Sequence, residues 1–547
     1  MLIVTYPPPQ HITTSDRIFI LGTAPRSGNV LVNGKAIRRS ELGHFAPSFP
    51  LRLGRNEFTV VYGQESKKLV ISRLPAVPPP PLVGFVPAAL FPAQRVVVPP
   101  GELLCFQAIA APNAQVTVSS SHWQMALAPG DSLVLPPNHA VLTHSAQLSQ
   151  PQGGLYQGCT RQASNGKYTY TWQRGERTIT AQAPGEIIIR ETFPRIVVTT
   201  DQAIIRSGPG TDYSRLTPLP QGTQAAVTGQ TGNWLRLEYG GWIEQKDTRV
   251  IEGVTPVRSV IRGISSRLRG ETTEILFPLE VPVPISIRQE AQKLVLTLHH
   301  VTAQTDTVFL VTNPLIERLD FYQVGPDRVE YTLTFKTQQQ WGYSTRYEGN
   351  TLVLSLRHPP ARAKVLLDPG HGSANDLGAR GPNGYPEKDV TLKVAKLLAR
   401  NLQARGMEVI LTRSTDVDLF PQQRAEMIRR LKPTIALSLH YNALPDNGDA
   451  ENTQGIGTFW YHPHSHNLAQ FLHDYLTSKL NRQSYGVFWG NLALTRPAIA
   501  PAVLLELGFM THPQEFGWIT DPQAQQKLAE TLGEAIEVWL RRQTAPN

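Results

Sequence analysis

Short apolar runs alternate with turn residues along the first 73 positions. Arg17-Ile-Phe-Ile-Leu-Gly, Asn29-Val-Leu-Val-Asn-Gly and Asn56-Glu-Phe-Thr-Val-Val-Tyr-Gly are examples. Strand, Asn-Gly turn, strand predicts a small β-sandwich over residues 1–73. Pro75 to Pro81 read as a stiff polyproline linker. Residues 83–192 again read as short strands, such as Lys167-Tyr-Thr-Tyr-Thr-Trp and Gly185-Glu-Ile-Ile-Ile-Arg, and predict a second β-rich module. Within it, Ala146 to Gly154 reads as an irregular excursion. Residues 195–250 and 255–358 continue in strands. In the latter, Lys293-Leu-Val-Leu-Thr-Leu, Arg328-Val-Glu-Tyr-Thr-Leu-Thr-Phe and Thr351-Leu-Val-Leu-Ser-Leu have the period of two expected of half-buried strands.

The period changes at Lys364. Lys364-Val-Leu-Leu-Asp reads as a buried strand, and Asp389 to Arg405 carries a helical apolar stripe that Gly406 ends. Strands at Val409-Ile-Leu-Thr, Ile435-Ala-Leu-Ser-Leu and Ala502-Val-Leu-Leu-Glu-Leu alternate with helices at Gln422 to Leu431, Asn467 to Leu480 and Ala524 to Arg542. Such alternation predicts an α/β domain with a mainly parallel sheet over residues 364–543. The expected fold class is therefore multidomain: N-terminal all-β modules, both sandwiches and a small barrel, followed by one α/β domain.

Bulk numbers agree with several folded modules. The chain has 547 residues, 41% of them hydrophobic and 17% charged, with 42 Gly and 45 Pro; one core cannot serve that length. The formal charge of +9 favours anionic surroundings, or is simply a basic soluble surface. No Lys/Arg run with interleaved aromatics points to nucleic acid. No stretch qualifies as a membrane span, because the longest uncharged segment, Leu74 to Gln94, is broken by prolines. The start, MLIVTYPPPQ, does not read as a signal peptide, so the export route is not legible. Cys105 and Cys159 form either one bridge or two buried thiols.

Four polar residues stand where buried strands end or run. His371 follows the first strand of the α/β region through Pro369-Gly370, Glu387 opens a helix, His440 ends Ile435-Ala-Leu-Ser-Leu, and Glu506 interrupts an apolar strand. Ligands gather outside the carboxyl ends of parallel strands, so this topology can bring the four together. Two His and one carboxylate match a catalytic zinc site that keeps a place for water, and the remaining Glu can serve as general base. No HExxH helix is present. Asp368 and Asn442 are candidates for supporting the ligands or touching substrate, with Asp368 equally readable as a turn former. Arg413 and Arg424 read either as holders of substrate carboxylates or, more simply, as members of solvated or structural ion pairs. The alternate histidines of Tyr461-His-Pro-His-Ser-His suit a surface metal site or, more simply, a solvated helix approach with Ser465 as N-cap.

Leu367-Asp-Pro-Gly-His-Gly, Gly378-Ala-Arg-Gly, Glu387-Lys-Asp, Leu411-Thr-Arg, Ser438-Leu-His-Tyr-Asn-Ala and Val503-Leu-Leu-Glu-Leu-Gly-Phe resemble, in order, the motifs of zinc-dependent N-acetylmuramoyl-L-alanine amidases. The resemblance implies zinc held by His371, Glu387 and His440, with Glu506 as the catalytic carboxylate. It also implies a peptidoglycan substrate and work in the periplasm or cell wall. Departures occur at Ser373, at Tyr441 and at Thr511-His512; Tyr441 and His512 are expected to narrow the groove or alter its substrate preference. The short polar segment between Asn442 and Gly457 is expected to carry no inhibitory helix of the kind found in cell-division members. Upstream, Ala203-Ile-Ile-Arg-Ser-Gly-Pro-Gly-Thr-Asp-Tyr, Gly232-Asn-Trp-Leu-Arg-Leu and Gly241-Trp-Ile resemble the bacterial Src-homology-3-type domain. That likeness implies a barrel that binds wall peptide or glycan, or only a spacer, with Gly208 and Gly210 in a tight turn and Trp234 and Trp242 as core and groove aromatics. Residues 1–73 resemble an immunoglobulin-like module, and 255–358 the β-rich localisation domains of wall amidases. Two other readings fit the same modules: a wall-binding protein without turnover, and a zinc peptidase of stem peptides.

Overall fold

The computed structural model describes residues 1–121, 123–142, 149, 151–251 and 257–544. In the N-terminal module a three-stranded and a five-stranded sheet enclose Ile18, Ile20, Val30, Val32, Phe45, Val60, Leu69 and Ile71. The Asn-Gly turn joins Val30–Val32 to Lys35–Ala36, with φ of 48° at Asn33 and 78° at Gly34. Both angles are the left-handed values that a two-residue hairpin turn requires.

The next module is a six-stranded antiparallel sheet around Phe106, Tyr156, Tyr170 and Trp172. Cys105 and Cys159 face one another on paired strands and form a disulfide. The expected excursion ends early, since Gln152 to Gly154 already belong to the strand Gln152–Thr160; residues 146–148 and 150 lie outside the described residues. Two strands of this module, Val96–Val98 and Ile187–Ile189, extend the sheet of the following barrel through Gln224–Thr231. The barrel and the two stacked sheets of residues 257–357 then share one continuous core, from Ile205, Leu237 and Ile243 to Phe277, Leu296, Tyr331 and Leu354.

Gly208 and Gly210 lie in a tight turn, with the Gly210 amide donating to the Gly208 carbonyl at 3.0 Å, but neither adopts positive φ. Gly208 is small because the Tyr213 ring lies over it: a Cβ there would sit 2.2 Å from Tyr213 Cδ1. Trp234 and Trp242 are both half-buried, and aliphatic side chains fill the core.

The C-terminal domain carries a six-stranded sheet. Its strands are β1 (Lys364–Pro369), β2 (Glu408–Leu411), β3 (Ile435–Asn442), β4 (Ile456–Trp460), β5 (Ser484–Trp489) and β6 (Ala502–Phe509). The spatial order is β2-β1-β3-β6-β4-β5. The first four in space run parallel, while β4 is antiparallel to β6 and parallel to β5. The helices are α1 (Glu387–Ala404), α2 (Pro421–Leu431), α3 (Pro463–Leu480), α4 (Pro513–Thr520) and α5 (Pro522–Thr544). Val390, Val394, Leu398 and Leu402 form the buried stripe of α1, and Gly406 leaves it at φ 80°. No helix among the described residues is long and apolar enough to cross a membrane.

The N-terminal module packs on this domain. Phe19, Leu21 and Ala46 share a buried cluster with Leu444, Ala450 and Phe509. Asp446 accepts hydrogen bonds from Tyr6 and from His11, the latter at 2.8 Å, and Thr5 Oγ1 donates to the Pro382 carbonyl at 2.7 Å. The short segment after Asn442 is thus held by a module more than 350 residues away in sequence.

Candidate metal centre

His371, Glu387 and His440 converge, with one ligand atom from each within 4.8 Å of the others. It is the only such group of three found among the described residues. Each arrives by a different route. β1 ends at Pro369, Gly370 turns the chain, and His371 follows at φ 60°, a left-handed conformation unusual for a non-glycine residue. Glu387 is the first residue of α1, which starts two residues earlier than the apolar stripe suggests. His440 lies on β3, one of the two central strands of the sheet. The approach depends on glycines at two points. A Cβ on Gly370 would sit 2.3 Å from His440 Cε1, and one on Gly378 would sit 2.5 Å from both Glu387 Oε2 and His371 Cδ2.

Glu387 is buried and its oxygens are divided. Oε1 faces His440 Nδ1 at 3.1 Å and accepts from the Tyr441 amide at 2.9 Å; Oε2 faces His371 Nε2 at 3.1 Å and accepts from the Ala379 amide at 2.8 Å. Burial works against its charge, but the two imidazoles outweigh burial and hold the carboxyl down at about 2. His371 Nδ1 meets Asp376 Oδ1 at 2.6 Å. Asp376 thus orients the ring from behind, as carboxylates do for metal-ligating histidines. Burial opposes the imidazolium, yet Glu387 and Asp376 together raise His371 to about 9.

Glu506 stands beside this group. It pairs with His440 in the parallel register of β3 and β6, so both side chains leave the same face of the sheet. Its Oε2 is buried without a hydrogen-bond partner. Burial, and then the neighbouring Glu387 charge, push its carboxyl well above the usual range. An orphaned carboxylate oxygen next to two imidazoles and a carboxylate is the donor set of a divalent-metal site with an adjacent base. The residues fit zinc.

Comparison with known proteins matches residues 365–538 to the N-acetylmuramoyl-L-alanine amidase family and 201–247 to the bacterial SH3 domain. The probable cell wall amidase LytH of Staphylococcus aureus is 32% identical over 215 residues, covering 39% of this chain and 70% of that protein. The chain belongs to the N-acetylmuramoyl-L-alanine amidase family. Among solved structures, the amidase AmiC2 of Nostoc punctiforme is 28% identical, covers 33% of this chain and 98% of its own, and has a TM-score of 0.31. The catalytic domain of CwlV from Bacillus (Paenibacillus) polymyxa var. colistinus is 30% identical over 32% of this chain and 98% of its own, with a TM-score of 0.31.

The other candidates of the amidase domain lie outside the group of three. Asp368 is 1% exposed and accepts from Thr412 Oγ1, Ser438 Oγ and Arg424 Nη1 at 2.5, 2.6 and 2.6 Å. Arg424 also donates to the Pro369 and His371 carbonyls, and Arg413 to those of Pro369, Gly370 and Lys388. These three residues brace the loop that presents His371. Asn442 is half-buried, and among the described residues its side chain accepts only from the adjacent Ala443 amide.

Tyr441 and His512 do not narrow a groove. Tyr441 is 2% exposed and packs in the core; His512 is 3% exposed, and its Nδ1 accepts from the Gln514 and Glu515 amides as the N-cap of α4. Of the three histidines between 462 and 466, only His466 is exposed to solvent as expected. His462 stands at the N-cap position of α3 without a side-chain hydrogen bond to the helix, and burial lowers His462 to about 4 and His464 to about 3, so both stay neutral. Ser465 is not the cap; its Oγ accepts from the Ala502 amide. Asp376 was missed by sequence reading. Its only signal is a carboxylate five residues beyond His371 in a Gly-rich loop.

Proposed function

We propose that the C-terminal domain hydrolyses the amide between the lactyl group of N-acetylmuramic acid and L-alanine of the stem peptide, using zinc held by His371, Glu387 and His440. When bound, zinc supplies Lewis acidity at this place, acidifying water and drawing electron density from the amide carbonyl. Glu506 accepts a proton from the attacking water at its orphaned Oε2 and returns it to the departing nitrogen. The water oxygen goes to the lactyl carbonyl carbon, the C–N bond breaks, and the products are a lactyl carboxylate and the L-alanine ammonium. Asp376 holds His371 in orientation, while Asp368 with Arg424 and Arg413 keeps its loop rigid. Asn442 is the remaining candidate for substrate contact.

The observation that carries this reading is the unpartnered Glu506 oxygen beside the His–Glu–His group. The Cys105–Cys159 disulfide supports work outside the reducing cytosol, in the periplasm or cell wall. The barrel and the other β-modules, on this reading, bind wall glycan or peptide. Digestion of purified peptidoglycan with and without chelator tests it. New L-alanine N-termini that vanish with chelator and return with zinc are expected. Any other new terminus would make the enzyme a peptidase, and no release would make the chain a binder.

A further inference from the structure

α2 covers the site-bearing face of the sheet over β1, β3 and β6, where Ile428 packs with Leu366, Ala436 and Ala502. Beyond β6 the same face is covered by aromatic rings. Glu506 pairs with Gly457 on β4, and Gly457 with Gly486 on β5; Phe459 pairs with Leu504 on one side and Phe488 on the other. Paired residues share a face, so Gly457, Gly486, Phe459 and Phe488 lie on the side of the sheet that Glu506 faces. Thr458 takes the opposite side, where its Oγ1 donates to the Ala469 carbonyl of α3 at 3.2 Å.

Glycines let these rings lie close to the backbone. A Cβ on Gly457 would sit 3.2 Å from Tyr485 Cδ1 and 3.8 Å from Glu506 Cβ, which puts the Tyr485 ring beside the base. A Cβ on Gly486 would sit 2.6 Å from Phe488 Cζ, and the chain there also needs φ 142°. A Cβ on Gly490 would sit 3.0 Å from Phe459 Cδ1 and 3.6 Å from Leu492 Cγ. The rings follow one another, Tyr485 to Phe488 at 5.5 Å and Phe488 to Phe459 at 5.2 Å between centroids. Both N-terminal modules fix Tyr485. Its Oη donates to the Leu142 carbonyl of the second, and its ring is 4.9 Å from Phe509, which is buried with Phe19 and Leu21 of the first. Tyr485, Gly486 and Phe488 stay partly exposed, and Leu492 is 37% exposed at the far end. With strands about 4.8 Å apart, Gly486 on β5 lies roughly 10 Å from Glu506, the span of neighbouring sugar rings in a chain.

We propose that this strip of β4 and β5 is a saccharide subsite, at which Tyr485 and Phe488, with Leu492 at its end, take the N-acetylhexosamine rings next to the muramic acid being cleaved. The inference rests on the amidase reading and assigns a place to the saccharide half of that substrate. Tyr485, Phe488, Phe459 and Leu492 carry no charge. A stem peptide brings ionised carboxylates and amines, which need polar partners when they leave water. N-acetylhexosamine rings are neutral and present C–H faces that suit aromatic surfaces. The strip adjoins Glu506 on the side away from β1, so the glycan lies over β4 and β5 and the stem peptide leaves over β1. Turnover on this geometry depends on how many sugars the substrate carries.

The test uses the full chain and soluble substrates carrying the same stem peptide on one, two or four sugars. In the parent, kcat/KM is expected to rise about tenfold from one sugar to four, chiefly through KM. Phe488→Leu, which keeps apolar bulk against Phe459 without a flat ring, should bring that ratio close to one, and Phe488→Tyr should restore it. If Phe488→Leu lowers the melting temperature, Leu492→Ser at the exposed end is read instead and should cut the ratio severalfold. A merely structural role would lower turnover on every substrate alike and leave the ratio in place. Binding is read apart from turnover, by calorimetry of a peptide-free N-acetylhexosamine tetrasaccharide on the Glu506→Gln chain, where Phe488→Leu should remove one site. A parent ratio near one, a ratio or site count that survives Phe488→Leu, or a gain that follows stem-peptide length on a single sugar would overturn the proposal. Loss of the saccharide site in a chain that never releases L-alanine would fell the amidase reading and keep the subsite; release of L-alanine with no dependence on sugar number would do the reverse.

Discussion

The two flanks of strand β3 each place a carboxylate in the interior, and they treat it in opposite ways. On the β1 side Asp368 pairs with Ser438 in register and receives three side-chain donors, among them the Arg424 guanidinium. Burial alone would raise it, but Arg424, Ser438 and Thr412 outweigh burial and hold it below the usual range. On the β6 side Glu506 pairs with His440, has an oxygen with no partner, and is pushed up by burial and by Glu387. Burial is common to both, so partners decide the role. A carboxylate whose donors are all supplied by the chain holds structure, and one left unsatisfied is held ready for something that the chain does not supply.

Glu506→Gln should break the comparison on the side of chemistry. Turnover on peptidoglycan should fall about 10²–10⁴-fold with zinc content unchanged by elemental analysis and no loss of melting temperature. Activity within tenfold of the parent would remove Glu506 from the reaction. Asp368→Ala should act on the other side. Leaving Arg424 buried and unpaired should cost about 3–5 kcal/mol in denaturant unfolding. Comparable losses of stability in both variants would dissolve the distinction drawn here.

Gly378→Ala sharpens the picture at the ligands themselves. The site needs φ 68° there and leaves no room beside Glu387 and His371. Zinc affinity should drop about 10–100-fold in competition with a chromophoric chelator, and an unchanged affinity would mean that the loop yields freely. Asp446 offers an intermediate case, half-buried and shared between modules. Burial would raise its carboxyl, but hydrogen bonds from Thr13, Tyr6 and His11 hold it below its ordinary 3.8. Since the folded value is the lower one, its contribution is present above that ordinary value and is lost as pH falls through the folded one. Asp446→Asn should cost about 1 kcal/mol near neutrality, and the gap from the parent should close in unfolding curves taken from pH 5 down to 2. A gap independent of pH would show that the charge plays no part in docking.

Much of this arrangement was legible because it is local. The apolar stripe of α1, the buried runs of β1, β3 and β6 and the Asn33-Gly34 turn each state their conformation within a few residues. Strands β4 and β5 were not legible. Ile456-Gly-Thr-Phe-Trp and Ser484-Tyr-Gly-Val-Phe-Trp are short, carry glycine inside, and are strands because β6 offers an edge to β4 and β4 in turn offers one to β5. The burial of Tyr441 and His512 was misread for a related reason: a residue in a motif-bearing segment faces core or solvent according to packing that the segment does not contain.

By itself, then, the order of residues determined which side chains are chemically able to hold a metal and which strands and helices carry them, since periodicity and residue type are properties of short windows. Tertiary structure alone decided that Asp368 is satisfied while Glu506 is not, that Asp376 stands behind His371, and that the first module clamps Asp446. Each of these depends on which distant segments come together, and hence on which polar groups find partners once water has been excluded.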